Sequence, residues 1–283
     1  MFLEIANQII NLSFENSNNN HAILENIAIN YGASQKINSD FKIIIISKND
    51  LDEPLKGPPN GPVRLNSNPS NTYTILTSNK FISHIFWPKK LMTISIEADC
   101  THPDLLILEN IKLLLVLLCI QKGGMSCHSS AVFKNDCAVA FVGNSGSGKS
   151  TIADLLSKTW NMIDDDFNIF LPENGAFYIH TTPFYLLKTI RGNRPKSRPI
   201  QLKYIFILKK SIVTKIAPIS SQEKYILIMG NTFAFSISEY FGQIMMENCQ
   251  RLCECVPVSK LFFSKSDDIN LKIDLHLKEN TGR

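Results

Sequence analysis

The sequence has no hydrophobic stretch long enough to cross a bilayer. Its longest unbroken apolar run, Leu113 to Ile120, covers eight residues, against the ~20 of a spanning helix, and reads as part of a buried helix. The opening Met1-Phe2-Leu3-Glu4-Ile5 carries none of the basic residues that begin a secretory signal. Neither sign of charge dominates: 29 Lys and Arg against 25 Asp and Glu leave a formal net charge of +4 over 283 residues, mild and spread out, which argues little for a nucleic-acid partner. These absences lead to the expectation of a cytoplasmic protein with neither a membrane nor a nucleic acid among its partners. A disulfide framework is also missing. The seven cysteines are odd in number and lack framework spacing, so reduced thiols are expected. Cys249, Cys253 and Cys255 form a C-x₃-C-x-C cluster with no fourth ligand close by and no recognised zinc spacing. Cys249 and Cys253, one helical turn apart beside Met245, Met246 and Leu252, read as the buried face of a helix.

What the chain does have is Gly143-Asn144-Ser145-Gly146-Ser147-Gly148-Lys149-Ser150, followed by Thr151. This is a complete G-x-x-x-x-G-K-[ST] motif, and its flanks suit it. Ala138 to Val142 reads as a short buried strand, and Thr151 to Leu156 as the first turns of a helix. Gly143, Gly146 and Gly148 let the backbone curl until successive N–H groups point inward, forming an anion nest at a helix N-terminus. Lys149 is then expected to reach the β- and γ-phosphates of a nucleoside triphosphate, and Ser150 to join the Mg²⁺ shell.

Two further features belong near this loop. A helix of about ten residues from Lys149 descends roughly 15 Å, Thr159 to Asn161 can turn the chain, and about five extended residues climb back some 16 Å. Asp164-Asp165-Asp166 therefore returns to the level of Ser150. There, one carboxylate can hold a metal ion while its neighbour accepts the proton of an attacking hydroxyl. Upstream, Lys134-Asn135-Asp136 reads as a three-residue hairpin loop. Pairing Phe133 with Cys137 sets His128 opposite Val142, on the same sheet face and at the mouth of the loop. A third, weaker feature is the basic segment from Lys188 to Arg198, where Arg191, Arg194 and Arg198 are candidate phosphate or substrate clamps.

Around this core the first hundred residues look β-rich, with strands over Phe41–Ile46, Thr72–Leu76 and Leu91–Ile96. Asn16 to Asn20 is a polar loop, and Glu53 to Asn71 a long turn-rich connection. Pro103 to Gln121 reads as an apolar helix stopped by Gly123-Gly124. Leu202–Leu208 and Ser259–Phe263 read as strands, Ser221–Met229 and Ile237–Cys253 as helices, and the last residues as a frayed polar end. The division expected is a β-rich region over 1–100 that docks the substrate, a nucleotide core over 101–270 and a polar tail over 271–283.

The motif Gly-x-Ser-Gly-Ser-Gly-Lys-Ser-Thr is shared by transporter ATPases and small-molecule kinases. No Leu-Ser-Gly-Gly-Gln-type signature follows it, and no apolar run ends in Asp-Glu, so the transporter reading fails. What remains is specific: Gly124-x-x-x-His128-Ser129-Ser130-Ala131-Val132, a short turn, Ala138 to Val142, the glycine loop, then Ile163-Asp164-Asp165-Asp166. This combination resembles the HPr kinase/phosphorylase superfamily, and within it the stand-alone proteins that include kinases tailoring lasso peptides. The resemblance runs from about Leu113 to Phe170 and more loosely to Phe263, where Cys255 to Phe263 looks like the family's closing strand. It implies an α/β fold with a nucleotide core of the HPr kinase/phosphoenolpyruvate carboxykinase type and a mixed sheet. It also implies that His128 is the active-site histidine, Asp165 the base and Asp166 the metal-side carboxylate. The cofactors implied are ATP and Mg²⁺, the acceptor is a serine of a peptide or small protein, and the assembly is a homo-oligomer. Thr151 stands where the sugar-regulation enzymes have an acidic residue, and their glycine-rich stretch after the aspartates is absent. Both departures count against HPr itself as the acceptor. Two other readings are a small-molecule kinase acting on free serine or a sugar, and a nucleotide-binding sensor without turnover.

Overall fold

A computed structural model describes residues 2–5, 8–14, 23–24, 39–48, 63–67, 72–78, 81–97, 100–182, 184, 198–233, 239–264 and 269–281. The chain divides into two units, Met1–Leu117 with Ala234–Gly242, and Leu118–Phe233 with Gln243–Arg283. The division falls inside a helix, later in the chain than the boundary near residue 100 expected from composition.

The first unit holds one seven-stranded sheet. Its strands are β1 (Phe2–Ile5), β2 (Gln8–Phe14), β3 (Phe41–Lys48), β4 (Arg64–Ser67), β5 (Tyr73–Thr77), β6 (Phe81–Phe86) and β7 (Leu91–Glu97), in the order β1-β2-β3-β7-β6-β5-β4. β3 runs parallel to both β2 and β7, while β7, β6, β5 and β4 form an antiparallel meander. Alternation makes these strands. Phe41, Ile43 and Ile45 are buried while Lys42 is exposed, and Phe81, Ser83 and Ile85 turn inward together. The buried Ser83 hydroxyl is satisfied by donating to Asn110 Oδ1 at 2.6 Å. Asn110 belongs to α1 (Pro103–Gln121), which has the bounds read from the sequence. Arg64–Ser67, expected to be part of a long irregular connection, is instead a strand on β5. Asn16 to Asn20 and most of the Glu53 to Asn71 stretch lie outside the described residues.

The second unit contains β8 (Met125–Lys134), β9 (Cys137–Val142), α2 (Lys149–Leu156), β10 (Asn161–Asp164), β11 (Phe167–Glu173), β12 (Ala176–His180), β13 (Ile200–Lys210), β14 (Lys215–Ala217), α3 (Ser221–Met229), all but the first turn of α4 (Glu239–Cys255), β15 (Val258–Phe263) and α5 (Ile269–Thr281). The sheet is mixed, since β13 is parallel to β9 and β15 and the other pairings are antiparallel. The pairings β8–β9, β9–β13, β13–β12, β12–β11 and β11–β8 close into a ring. On one face of this sheet Phe141 stacks on Phe206 with ring centroids 5.9 Å apart. Ile152 and Leu156 of α2 and Ile269 and Ile273 of α5 join the same core.

Several details of the second unit differ from the sequence reading. The β8–β9 hairpin has a two-residue turn, with Lys134 paired to Cys137 and Ser129, not His128, opposite Val142. Asn135 takes φ 54°, the left-handed conformation that a two-residue turn can accommodate and a longer loop need not. The stretch 271–283 is not a frayed tail over most of its length, because α5 is anchored by Ile269 and Ile273, buried to 1% and 0% exposure. β11 and β12 were not anticipated at all. Their hairpin turns on Asn174-Gly175, both at positive φ. In α4, Cys249, Cys253, Met245 and Leu252 are buried as the helix-face reading expects, whereas Met246 is exposed.

Candidate functional site

The glycine loop joins the end of β9 to α2. Gly146 at φ +74° and Gly148 at φ +101° hold the left-handed conformations that curl it. A Cβ at Gly148 would also come within 2.5 Å of the Phe263 ring, so this position excludes side chains twice over. A Cβ at Gly146 would meet nothing within 4 Å, and the loop is open to an approaching group there. Lys149 is buried, and its Nζ donates to Gly143 O at 2.7 Å and Asn144 O at 3.3 Å. Burial lowers its pKa, and the nearby Asp166 carboxylate pulls the other way.

The aspartates return to the loop as the distance argument requires, but the three do different things. β10 pairs with β8 through a bulge between Met162 and Asp164. Asp164 is 1% exposed, and its Oδ1 accepts the backbone N–H groups of Asp166 at 3.0 Å and Phe167 at 3.2 Å. It is thus a turn-closing carboxylate. That turn leaves Asp165 and Asp166 lining a cleft of about 460 Å³ shared with His128, Ser145, Gly146, Gly148, Lys149, Ser150, Thr151 and Lys210. His128 reaches this cleft although the register that was meant to bring it there is one residue off. Its backbone N–H is held by Asn231 O at 2.7 Å. Its Nδ1 lies 2.8 Å from Asp166 Oδ1, and its imidazole makes a T-shaped contact with the Phe233 ring, centroids 5.9 Å apart.

Lys210 was missed by the sequence reading. Only the structure reveals it: β13 is parallel to β9, so its C-terminal end opens at the same edge as the glycine loop, where ligands of parallel sheets bind. Arg191 and Arg194 lie outside the described residues. Arg198 does not line this cleft. It pairs with Asp136 in the β8–β9 turn, at the other end of β9 from the loop.

The cleft has features that suit a triphosphate. The curled loop lines it with Ser145, Gly146, Gly148, Lys149, Ser150 and Thr151 at the N-terminus of α2, where backbone N–H groups favour an anion. Two carboxylates and the Ser150 hydroxyl offer hard oxygen donors in the same cleft. Among the described residues no group of three or more His, Cys, Asp or Glu side chains forms a metal cage. Mg²⁺ commonly binds through one or two carboxylates plus phosphate and water, and Asp165 and Asp166 supply two carboxylates in this cleft. Among the described residues no helix is long and apolar enough to cross a membrane.

In comparison with known proteins, the family model described as "SynChlorMet cassette protein ScmC" matches residues 96–254. A search of the curated proteins finds no match. Among solved structures, the chain is similar to the HPr(Ser) kinase/phosphatase from Coxiella burnetii at 12% identity, over 55% of this chain and 95% of that one. The TM-score of 0.27 is too low for that similarity to support a conclusion about this chain.

Proposed function

The chain belongs to the SynChlorMet cassette protein ScmC family, and we propose that it is a kinase with a core of the HPr-kinase type. It transfers the γ-phosphoryl group of ATP to the hydroxyl of a serine in a peptide or small protein. One observation carries the reading: His128, Lys149, Ser150, Asp165 and Asp166, drawn from three separate stretches of sequence, line a single cleft around the glycine loop. A chance glycine turn would bring no such company.

In this reading the loop N–H groups and Lys149 hold the β- and γ-phosphates, and Lys149 gives up its contacts to Gly143 O and Asn144 O to do so. Ser150 and Asp166 hold Mg²⁺, which neutralises charge on the phosphate oxygens when bound. Asp165 accepts the proton of the acceptor hydroxyl. The hydroxyl oxygen bonds to the γ-phosphorus as the bond to the β–γ bridging oxygen breaks, and ADP leaves with that electron pair. His128 orients Asp166 through its 2.8 Å contact, as a hydrogen-bonded partner orients a metal-binding carboxylate. Lys210 adds positive charge at the cleft edge, where charge accumulates in the transition state.

The test is incubation with Mg²⁺ and γ-labelled ATP, a panel of serine peptides, HPr and free serine, with Lys149→Ala as control. Label on a peptide or protein that disappears in the control supports the reading. Label confined to free serine would transfer the protein to the small-molecule kinases, and binding of ATP without any transfer would make it a sensor.

A further inference from the structure

A second cavity, of about 310 Å³, lies at the opposite end of β9. Cys137, which lines it, is the first residue of β9, and Val142, before the glycine loop, is the last. The two ends are about 17 Å apart at the rise of an extended strand. The volume is at the low end of the range for small-ligand sites.

Its lining combines cationic and apolar side chains. Lys134, Lys203 and Lys278 line it, against a single carboxylate, Asp274. Asp274 is already engaged by Lys134 at 2.8 Å, an ion pair that ties the β8–β9 hairpin to α5. Among the described residues neither Lys203 nor Lys278 pairs with a carboxylate, so the cavity carries uncompensated positive charge. Trp160 and Leu277 supply the apolar surface. Lys134 Nζ also sits over the Trp160 ring, 5.7 Å from its centroid.

Two observations mark this as more than a patch of surface lysines. In the ladder with β9, Leu202 pairs with Ala138 and Tyr204 with Val139, so Lys203 is the extra residue of a β-bulge. A bulge redirects a side chain at a local cost in pairing, and here the redirected side chain lines the cavity. The second is Trp160. It is only 4% exposed, and its indole Nε1 has no hydrogen-bond partner among the described residues. A buried donor of this kind usually has one.

We propose that this cavity is a binding site, separate from the cleft at the glycine loop, for a small organic anion. The ligand has a carboxylate or phosphate head met by Lys203 and Lys278 and an apolar body laid against Trp160 and Leu277. Nothing in the proposed phosphoryl transfer uses these residues, so the site stands or falls independently of that reaction.

The two tryptophans, Trp87 and Trp160, give a direct readout through their indole N–H resonances in a ¹⁵N-labelled sample of the full chain. Phenylacetate and phenyl phosphate serve as anionic probes, and phenylacetamide as the neutral counterpart. The expected result is a saturable shift of the Trp160 resonance, with Trp87 unmoved, at about 1 mM anion or below. Which anion binds tighter identifies the head group. Lys203→Met with Lys278→Met should weaken that binding about tenfold or more, and Lys149→Ala should leave it unchanged. The proposal is overturned if neither anion shifts Trp160, if phenylacetamide does so equally well, or if the lysine double variant binds unchanged. Loss of the response in Lys149→Ala would assign the probe to the other cleft and overturn it as well.

Discussion

The ring of Phe263, at the end of β15, lies where a side chain on Gly148, at the start of α2, would have to be: a Cβ there would come within 2.5 Å of the Phe263 Cζ. Residues more than a hundred positions apart in sequence thus share one volume, and the glycine loop is shaped partly by a strand from the far end of the chain.

This contact separates two causes of strain at Gly148. Gly148→Ala should lower stability by about 1–3 kcal/mol, from the positive φ and the clash together. Adding Phe263→Leu should recover only the part due to the clash, leaving the cost of φ +101° in place. Thermal melts of the two single variants and the double variant measure this as a coupling energy. Full recovery would mean that backbone conformation contributes nothing.

Asp164 and Asp165 are adjacent, yet their variants should fail in different ways. Asp164→Ala leaves the N–H groups of Asp166 and Phe167 without their acceptor and should cost about 1–3 kcal/mol of stability. Asp165→Asn should melt normally and bind nucleotide normally while phosphoryl transfer falls by roughly 10²–10⁴. Melting curves, nucleotide titrations and single-turnover rates for both variants check this. A near-normal rate for Asp165→Asn would remove it from the role of base.

His128→Gln should act through the metal-side carboxylate. The concentration of Mg²⁺ needed for half-maximal turnover should rise about 10–100-fold, the usual cost of losing a partner that orients a ligand. If turnover drops with an unchanged Mg²⁺ requirement, His128 touches the reacting groups instead.

The buried His180 predicts a pH dependence of stability. Burial lowers its pKa below the ordinary value, and the Glu173 carboxylate opposes this without reversing it. The folded state therefore binds this proton less readily than the unfolded chain, and acid favours unfolding. This contribution is fully present above the unfolded histidine pKa of about 6.5 and is lost as pH falls toward the lower folded value. The melting temperature should decline from neutral pH toward pH ~5.5, and His180→Gln should flatten that decline. An identical slope in the variant would place the effect elsewhere.

Much of this molecule was legible in the sequence because it is written locally. The loop glycines, the strand before them and the helix after them form one contiguous motif. α1 was located to the residue by its apolar composition and its glycine stop, and α3 has the bounds expected. The return of the aspartates to the loop followed from helix and strand rise alone. Asn174-Gly175 was an equally local hairpin signal that went unused, and β11 and β12 were lost with it. The separate roles of Asp164, Asp165 and Asp166 depended on a turn whose hydrogen bonds sequence spacing does not show. His128 shows the limit most clearly. It lines the cleft, but through a hairpin register one residue away from the one expected. What brings it there includes its pairing with Phe167 in β11 and its contacts to Asn231 and Phe233, all supplied by other parts of the chain.

By itself the sequence determined what a short stretch of backbone can do: bind anions in a glycine curl, turn a helix into a strand, bury one face of a helix. Which side chains meet was decided by the closure of the second unit's strands into a ring. That closure sets the end of β13 beside the glycine loop and so delivers Lys210, and it opens a bulge at Lys203 on the opposite side. The physical reason is that pairing register and face depend on partners far away in sequence, and shifting a strand by one residue exchanges every side chain it presents.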